Sequence, residues 1–212
     1  LGGLLSNEGI RYNPRTNTWG ALSTVGAPSG RFALTAVWTG RELIVWGGII
    51  NGSNVVTQDG ARYDPQTDTW TPMALAGAPS ARGLHTAVWT GREMLVWGGV
   101  TTTGTPLVNG ARYDPSTDTW ASLSSAGAPS ALSYHTAVWS GREMIIWGGG
   151  PYSSNGWRYD PRIDTWSPTT TAGAPEGRTS HSAVWTGREM VIWGGSNGIN
   201  YLNTGGRYDP AL

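Results

Sequence analysis

The 212-residue chain carries 14 basic and 14 acidic residues and no net charge, which removes the electrostatic case for nucleic acid or an anionic membrane as partner. It has no cysteine, so disulfides, thiol catalysis and cysteine-ligated metals are excluded. No apolar run approaches the ~20 residues of a membrane helix, and the first residue is leucine with no leader in view, as expected of a mature, excised or partial product.

In chain order, a short piece (1–8) with a Gly2-Gly3 pair precedes four copies of one unit, at 9–48, 60–99, 110–149 and 156–195. The bounding glycines of every unit lie 39 positions apart, whereas the linkers between units run to 11 (49–59), 10 (100–109) and 6 residues (150–155). A last piece, 196–212, reaches Gly206-Arg-Tyr-Asp-Pro210 without the Thr-Asp-Thr-Trp that follows this motif in the earlier copies. An invariant unit joined by variable linkers marks a repeat architecture.

The strand-like pieces follow one another as His85–Trp89, the turn Thr90-Gly91-Arg92, Glu93–Trp97, the stop Gly98-Gly99, Gly110–Tyr113, the turn Asp114–Asp118, and Thr119-Trp120. Val, Ile, Trp, Tyr and Thr fill the pieces, and Gly, Pro, Asp and Asn fill the turns. No segment shows a capped 3.6-residue apolar period, so essentially no helix is expected. Ala87-Val-Trp89 and Met94-Leu-Val-Trp97 are apolar at consecutive positions, which requires cover on both sheet faces. Short antiparallel strands covered on both faces and repeated every 45–51 residues predict an all-β chain, a β-propeller of about four four-stranded blades with incomplete blades at its ends.

At the double glycine, the tyrosine and the tryptophan the sequence resembles the kelch repeat: Gly98-Gly99, then Tyr113, then Trp120, and again Gly47-Gly48, Tyr63, Trp70. The lead-in Arg82…His85 fits the same pattern, with Leu34 in place of the histidine and Leu132 in place of the arginine as departures. The resemblance implies His85-type strands innermost, Trp120-type strands outermost, and a family that mostly serves as protein-interaction scaffolds. It also implies that the histidines are structural. The arginine-only basic set and the Trp-Thr-Gly-Arg-Glu phrasing resemble bacterial secreted or surface kelch proteins, which suggests an extracellular or cell-surface location.

Closure is open to three readings. The inner strands of 181–195 could pair with the outer strands of 12–20 in a four-blade ring, the chain could be part of a larger ring, or two copies could complete eight blades. The count favours a chain that needs more blades than it owns.

Alternating strand direction sorts the turns onto two ends, and all length variation falls on the linker end, where loops change without disturbing the blade. Candidate partner-binding residues there are Phe32, Asn51, Asn54, Tyr134, Tyr152, Asn155, Trp157, Asn200 and Tyr201. Amides beside aromatics suit peptide backbone or sugars, although Asn and Gly are also ordinary turn formers. A histidine column, His85, His135 and His181, could ring a channel and hold a metal, but Leu34 breaks it and no carboxylate column runs beside it.

No cofactor and no catalytic residue is assigned. Arg31, Arg82, Arg178 and Glu176 are the nearest approach to a mutarotase-like set, and a galactose-oxidase-like copper site is excluded by the missing cysteine. The expected function is therefore a non-catalytic interaction scaffold, the alternative a glycan-binding propeller, and the third a sugar-modifying enzyme of mutarotase type. The partner is a protein or a glycan, or a second copy or missing blades that complete the ring.

Overall fold

The computed structural model describes residues 6–50 and 55–211. In chain order the strands are β1 (Ile10–Asn13), β2 (Thr18–Ala21), β3 (Arg31–Phe32), β4 (Thr35–Trp38), β5 (Leu43–Trp46), β6 (Ile49–Ile50), β7 (Gly60–Asp64) and β8 (Thr69–Pro72). They continue as β9 (Thr86–Trp89), β10 (Met94–Trp97), β11 (Gly110–Asp114), β12 (Thr119–Ser122), β13 (Thr136–Trp139), β14 (Met144–Trp147), β15 (Gly156–Asp160) and β16 (Thr165–Pro168). The last three are β17 (Ser182–Trp185), β18 (Met190–Trp193) and β19 (Gly205–Tyr208). Among the described residues there is no helix.

Three blades have four strands each, ordered β4-β5-β7-β8, β9-β10-β11-β12 and β13-β14-β15-β16. The hairpin β1-β2 stands alone at one end, and the three-stranded β17-β18-β19 stands at the other. Innermost strands pack in succession, β4 on β9, β9 on β13 and β13 on β17, so the blades fan about one axis as a β-propeller. The four-blade closure entertained from sequence is not formed: β18 pairs with β19, with Met190 opposite Tyr208, and not with the hairpin at 12–20. The end stub carries the Gly-x-Arg-Tyr sequence of every third strand, so it takes the place that local register assigns to it.

Two turn chemistries build each blade. In the inner turn the Glu93 amide donates to Thr90 Oγ1 at 2.8 Å, and Gly91 adopts φ +97°. In the outer turn Asp114 Oδ1 accepts the Ser116 amide, and Asp118 sits in the left-handed region at φ +52°. The double glycine is sterically required: a Cβ at Gly98 would stand 2.6 Å from the Leu132 carbonyl oxygen and 2.9 Å from the His135 ring.

The apolar cores lie between blades. Val37, Ile44 and Trp46 of one blade pack with Met94, Val96, Tyr113 and Trp120 of the next, and Leu95, Trp97, Met144, Tyr159 and Trp166 repeat the arrangement one blade on. Ring centroids of Trp46 and Trp120 are 5.3 Å apart, and those of Trp97 and Trp166 4.4 Å. Polar bonds add direction: Trp120 Nε1 donates to the Ala74 carbonyl at 3.0 Å, Asp118 Oδ1 accepts the Ala74 amide at 3.0 Å, and Arg62 donates to the Pro115 carbonyl at 2.8 Å. The repeat charges divide their work. The Arg62 column bridges adjacent blades, while the Arg62–Glu42 and Arg158–Glu143 pairs lie within single blades.

Tyr113 donates its hydroxyl to Asp118 at 2.6 Å, and burial followed by that carboxylate pushes the phenol up. Burial alone would raise Asp118, but the Tyr113 hydroxyl and the Ala74 amide outweigh it and hold the carboxyl low. Tyr113→Phe removes one charge-assisted bond from a turn that also carries an inter-blade contact. Urea denaturation is expected to show a loss of about 2 kcal/mol; an unchanged midpoint would mean that the hydroxyl is not part of the blade contact.

Candidate interaction face

Within each blade the β9–β10 and β11–β12 turns emerge at one end, and the linkers with the inter-blade crossings emerge at the other. Three of the four linker bases are held by buried arginines, and the third linker (150–155), with Leu132 at the arginine's place, is closed by the Gly148 amide on the Asn155 carbonyl. Arg82 donates to the carbonyls of Gly98 (2.9 Å), Asn109 (2.8 Å) and Ser80 (3.0 Å) and to Asn109 Oδ1 (2.8 Å). Arg178 repeats this on Gly194 and Thr204, and Arg31 adds an ion pair with Asp59 at 2.7 Å. Burial would raise the Asp59 carboxyl, but Arg31 and the Thr57 hydroxyl hold it below its usual value. These three arginines are buried and committed to main-chain oxygens, so they do not supply the basic groups of a mutarotase-like mouth.

With the bases pinned, the exposed residues are those at the tips and at the start of the inner strands. Phe32 opens a small strand pair with Ile49 opposite it, and about half of its surface is in solvent. Tyr134 is similarly exposed, adopts φ +57°, and gives its carbonyl to the Ser180 amide of the next blade. Ala33, Leu84 and Ser180 occupy the equivalent place in their blades, each with φ between 52 and 57°. Left-handed backbone at four non-glycine residues of one column stores strain at the mouth of the central axis. Nothing in the residue types announced this column.

The last two linkers touch each other. The Tyr152 ring lies against Gly198, where a Cβ would stand 2.4–2.7 Å from the ring, and Asn197 Nδ2 donates to Glu176 Oε1 at 2.7 Å. Asn197 Oδ1 also accepts the Asn200 amide, which fixes the loop that holds Tyr201 96 % exposed. The structure therefore brings Tyr152, Asn200 and Tyr201 to neighbouring linkers, with Tyr134 beside the crossing they flank. Asn155 closes the base of its own linker, its carbonyl accepting the Gly148 amide. Asn51 and Asn54 lie outside the described residues.

Trp157 does not join this group. In β15 it pairs with Ile146 of β14 and packs against the core that holds Trp97 and Trp166. Its lack of a repeat column made it look like a linker aromatic, but strand register turns it into the blade contact, where Ala61 and Ala111 stand in the other copies.

The histidine column bridges blades. Nε2 of His85, His135 and His181 lies 2.8 Å from the hydroxyls of Thr35, Thr86 and Thr136 on the preceding innermost strands. Burial lowers all three, to about 3, about 3 and about 4, so they are neutral at physiological pH. Among the described residues no three His, Asp or Glu side chains converge as a metal site would need. At the turn end, Arg92 and Arg142 beside Trp139 line an inter-blade groove that sequence reading overlooked. Their charges are met by Asp114 and Asp160 at 3.4 Å, and Arg162 followed by Arg142 holds Asp160 down at about 2.

The repeated Gly-Gly, Tyr and Trp geometry now has an external counterpart. The KLHDC2/KLHL20/DRC7 Kelch-repeats domain matches residues 33–211. The chain belongs to the kelch-repeat family. A curated relative, the F-box protein AFR of Arabidopsis thaliana, is 34 % identical over 85 residues, covering 38 % of this chain and 22 % of that protein. The chain thus spans less than a quarter of the relative's length, and this plant match lends no support to the bacterial phrasing of the repeats.

Proposed function

We propose that this kelch propeller is a non-catalytic scaffold whose linker face docks a protein partner. The observation that carries the reading is the set of exposed aromatics on the linker end, Phe32 and Tyr134 at the starts of inner strands and Tyr152 and Tyr201 on the last two linkers. Large, stiff aromatics with few rotamers are the side chains that anchor protein interfaces. The similarity to an F-box protein fits an interaction role.

The test is proximity capture of partners by the wild-type chain, followed by affinity measurement with the purified partner. Tyr152→Ala together with Tyr201→Ala is expected to weaken binding roughly 30-fold or more, while Arg92→Ala on the turn end leaves it unchanged. Binding lost equally through Arg92→Ala would move the site to the turn end. A glycan array that gives specific binding abolished by the tyrosine variants would replace the protein partner with a sugar.

A further inference from the structure

We propose that Asn197-Gly198 is a site of self-modification: the folded last linker deamidates there, and the new carboxylate unlatches the linker from Glu176. Neither step rests on the docking function proposed for the linker face.

The Asn-Gly pairs among the described residues are unlike one another. Asn109-Gly110 and Asn155-Gly156 stand at the starts of β11 and β15, where both glycines are buried. A Cβ on these glycines would stand 2.1 and 2.8 Å from the carbonyl oxygens of Val96 and Ile146, so their main chain is packed tightly on the neighbouring strand. Asn109 Oδ1 is moreover held by Arg82 at 2.8 Å. Gly198, by contrast, belongs to no strand, is exposed and adopts φ +88°. The pair Asn51-Gly52 lies outside the described residues.

Around Asn197 the side-chain amide is turned toward the main chain that follows it. Asn197 Oδ1 accepts the amides of Ile199 at 3.0 Å and Asn200 at 2.7 Å. The Gly198 amide donates instead to Ser196 Oγ at 3.1 Å. Attack by the Gly198 nitrogen on Asn197 Cγ drives negative charge onto Oδ1, and two donors are already aimed at that oxygen. Ser196 Oγ meets the proton that the nitrogen must shed. Glycine brings no side chain to obstruct the approach.

The Gly198 N–Cγ bond forms, the Cγ–Nδ2 bond breaks, and Nδ2 leaves as ammonia with the proton shed by Gly198. Water then opens the cyclic imide at either carbonyl, which leaves aspartate or isoaspartate at position 197. Nothing is oxidised or reduced.

The product is repelled where it forms. Asn197 Nδ2 donates to Glu176 Oε1 at 2.7 Å, and a carboxylate oxygen in its place sets two negative charges against each other. Arg178, two residues on, does not neutralise them: it directs its donors to the carbonyls of Glu176, Gly194 and Thr204 and to Thr204 Oγ1. Because the Tyr152 ring packs on Gly198 and Tyr201 bridges to Ser196 in the same loop, the repulsion opens the contact between the last two linkers.

Peptide mapping by mass spectrometry of the folded chain, held at neutral pH and sampled over days, tests the first step. Conversion at Asn197 is expected to run roughly tenfold or more faster than at Asn109 and Asn155, which must open locally first, and the difference is expected to vanish in denaturant. Equal rates at the three positions in the folded chain, or no conversion at Asn197 while the denatured chain converts there, would overturn the site. The second step is tested with Asn197→Asp, for which protease nicking within 196–204 is expected to rise roughly fivefold. Adding Glu176→Gln removes one of the two charges and is expected to return nicking to the wild-type rate. Nicking unchanged by Asn197→Asp, or raised but indifferent to Glu176→Gln, would overturn the unlatching.

Discussion

Replacing Arg82 by alanine is expected to lower the unfolding free energy by about 3–5 kcal/mol, a fall of roughly 8–16 °C in melting temperature for a chain of this size. The side chain is fully buried and joins the crossing at Ser80 to the carbonyls of Gly98 and Asn109. Two terms oppose each other. Burial disfavours the guanidinium and lowers it to about 10, so deleting the charge recovers desolvation. Deletion also takes the donor from the Ser80 and Gly98 carbonyls, while the Asn109 carbonyl keeps the Gly98 amide, and leaves a cavity the size of an arginine; this second cost is the larger. The third copy supplies the control, because Leu132 fills the equivalent place and is buried in the core. Arg82→Leu is therefore expected to lose less than Arg82→Ala. Thermal and urea melts measure both, and an alanine variant within about 1 kcal/mol of wild type would show that the arginine does not pin the linker.

The second large effect is acid lability between pH 6.5 and 4. His85, His135 and His181 have folded-state pKa values lowered to about 3, 3 and 4, below the unfolded value of 6.5, with burial the leading cause in each. The unfolded chain therefore binds more protons in this window. The stability these histidines contribute is present above pH 6.5 and is lost as pH falls toward their folded values. From pH 7 to 5 the loss is roughly 2 kcal/mol for each histidine and roughly 6 kcal/mol for the three together. The carboxylates act lower: Asp160, held at about 2 by Arg162, gives up its contribution only below the usual aspartate range. Melting curves at stepped pH check the window. His135→Leu, which copies the residue that Leu34 supplies in the first unit, should remove about a third of the slope. A slope untouched by it would assign the acid transition to other groups.

These predictions rest on features that differ in how far they could be read without coordinates. The Tyr113–Trp120 pairing and the Gly98-Gly99 stop were legible because each recurs at fixed spacing, and recurrence with strand chemistry leaves few folds. The arginines were visible as a column but not as staples, since their acceptors are main-chain oxygens that have no residue identity. Trp157 was misplaced for a related reason. It has no column, and only the register of β15 on β14 shows that it points into a blade contact. The mouth column of Ala33, Leu84, Tyr134 and Ser180 was hidden because nothing about those residue types favours left-handed backbone.

By itself, then, the sequence determined the blade: its strands, its turns, its tryptophan-rich cores and the end at which variation collects. Those properties follow from local chemistry repeated at a constant interval, and each copy confirms the others. Only the tertiary structure decided how blades meet their neighbours. It placed each core between successive sheets and paired β18 with β19. The reason is physical: pairing within a blade is set by residues a few positions apart, whereas the fit of one blade on the next depends on atoms some 40–50 residues away.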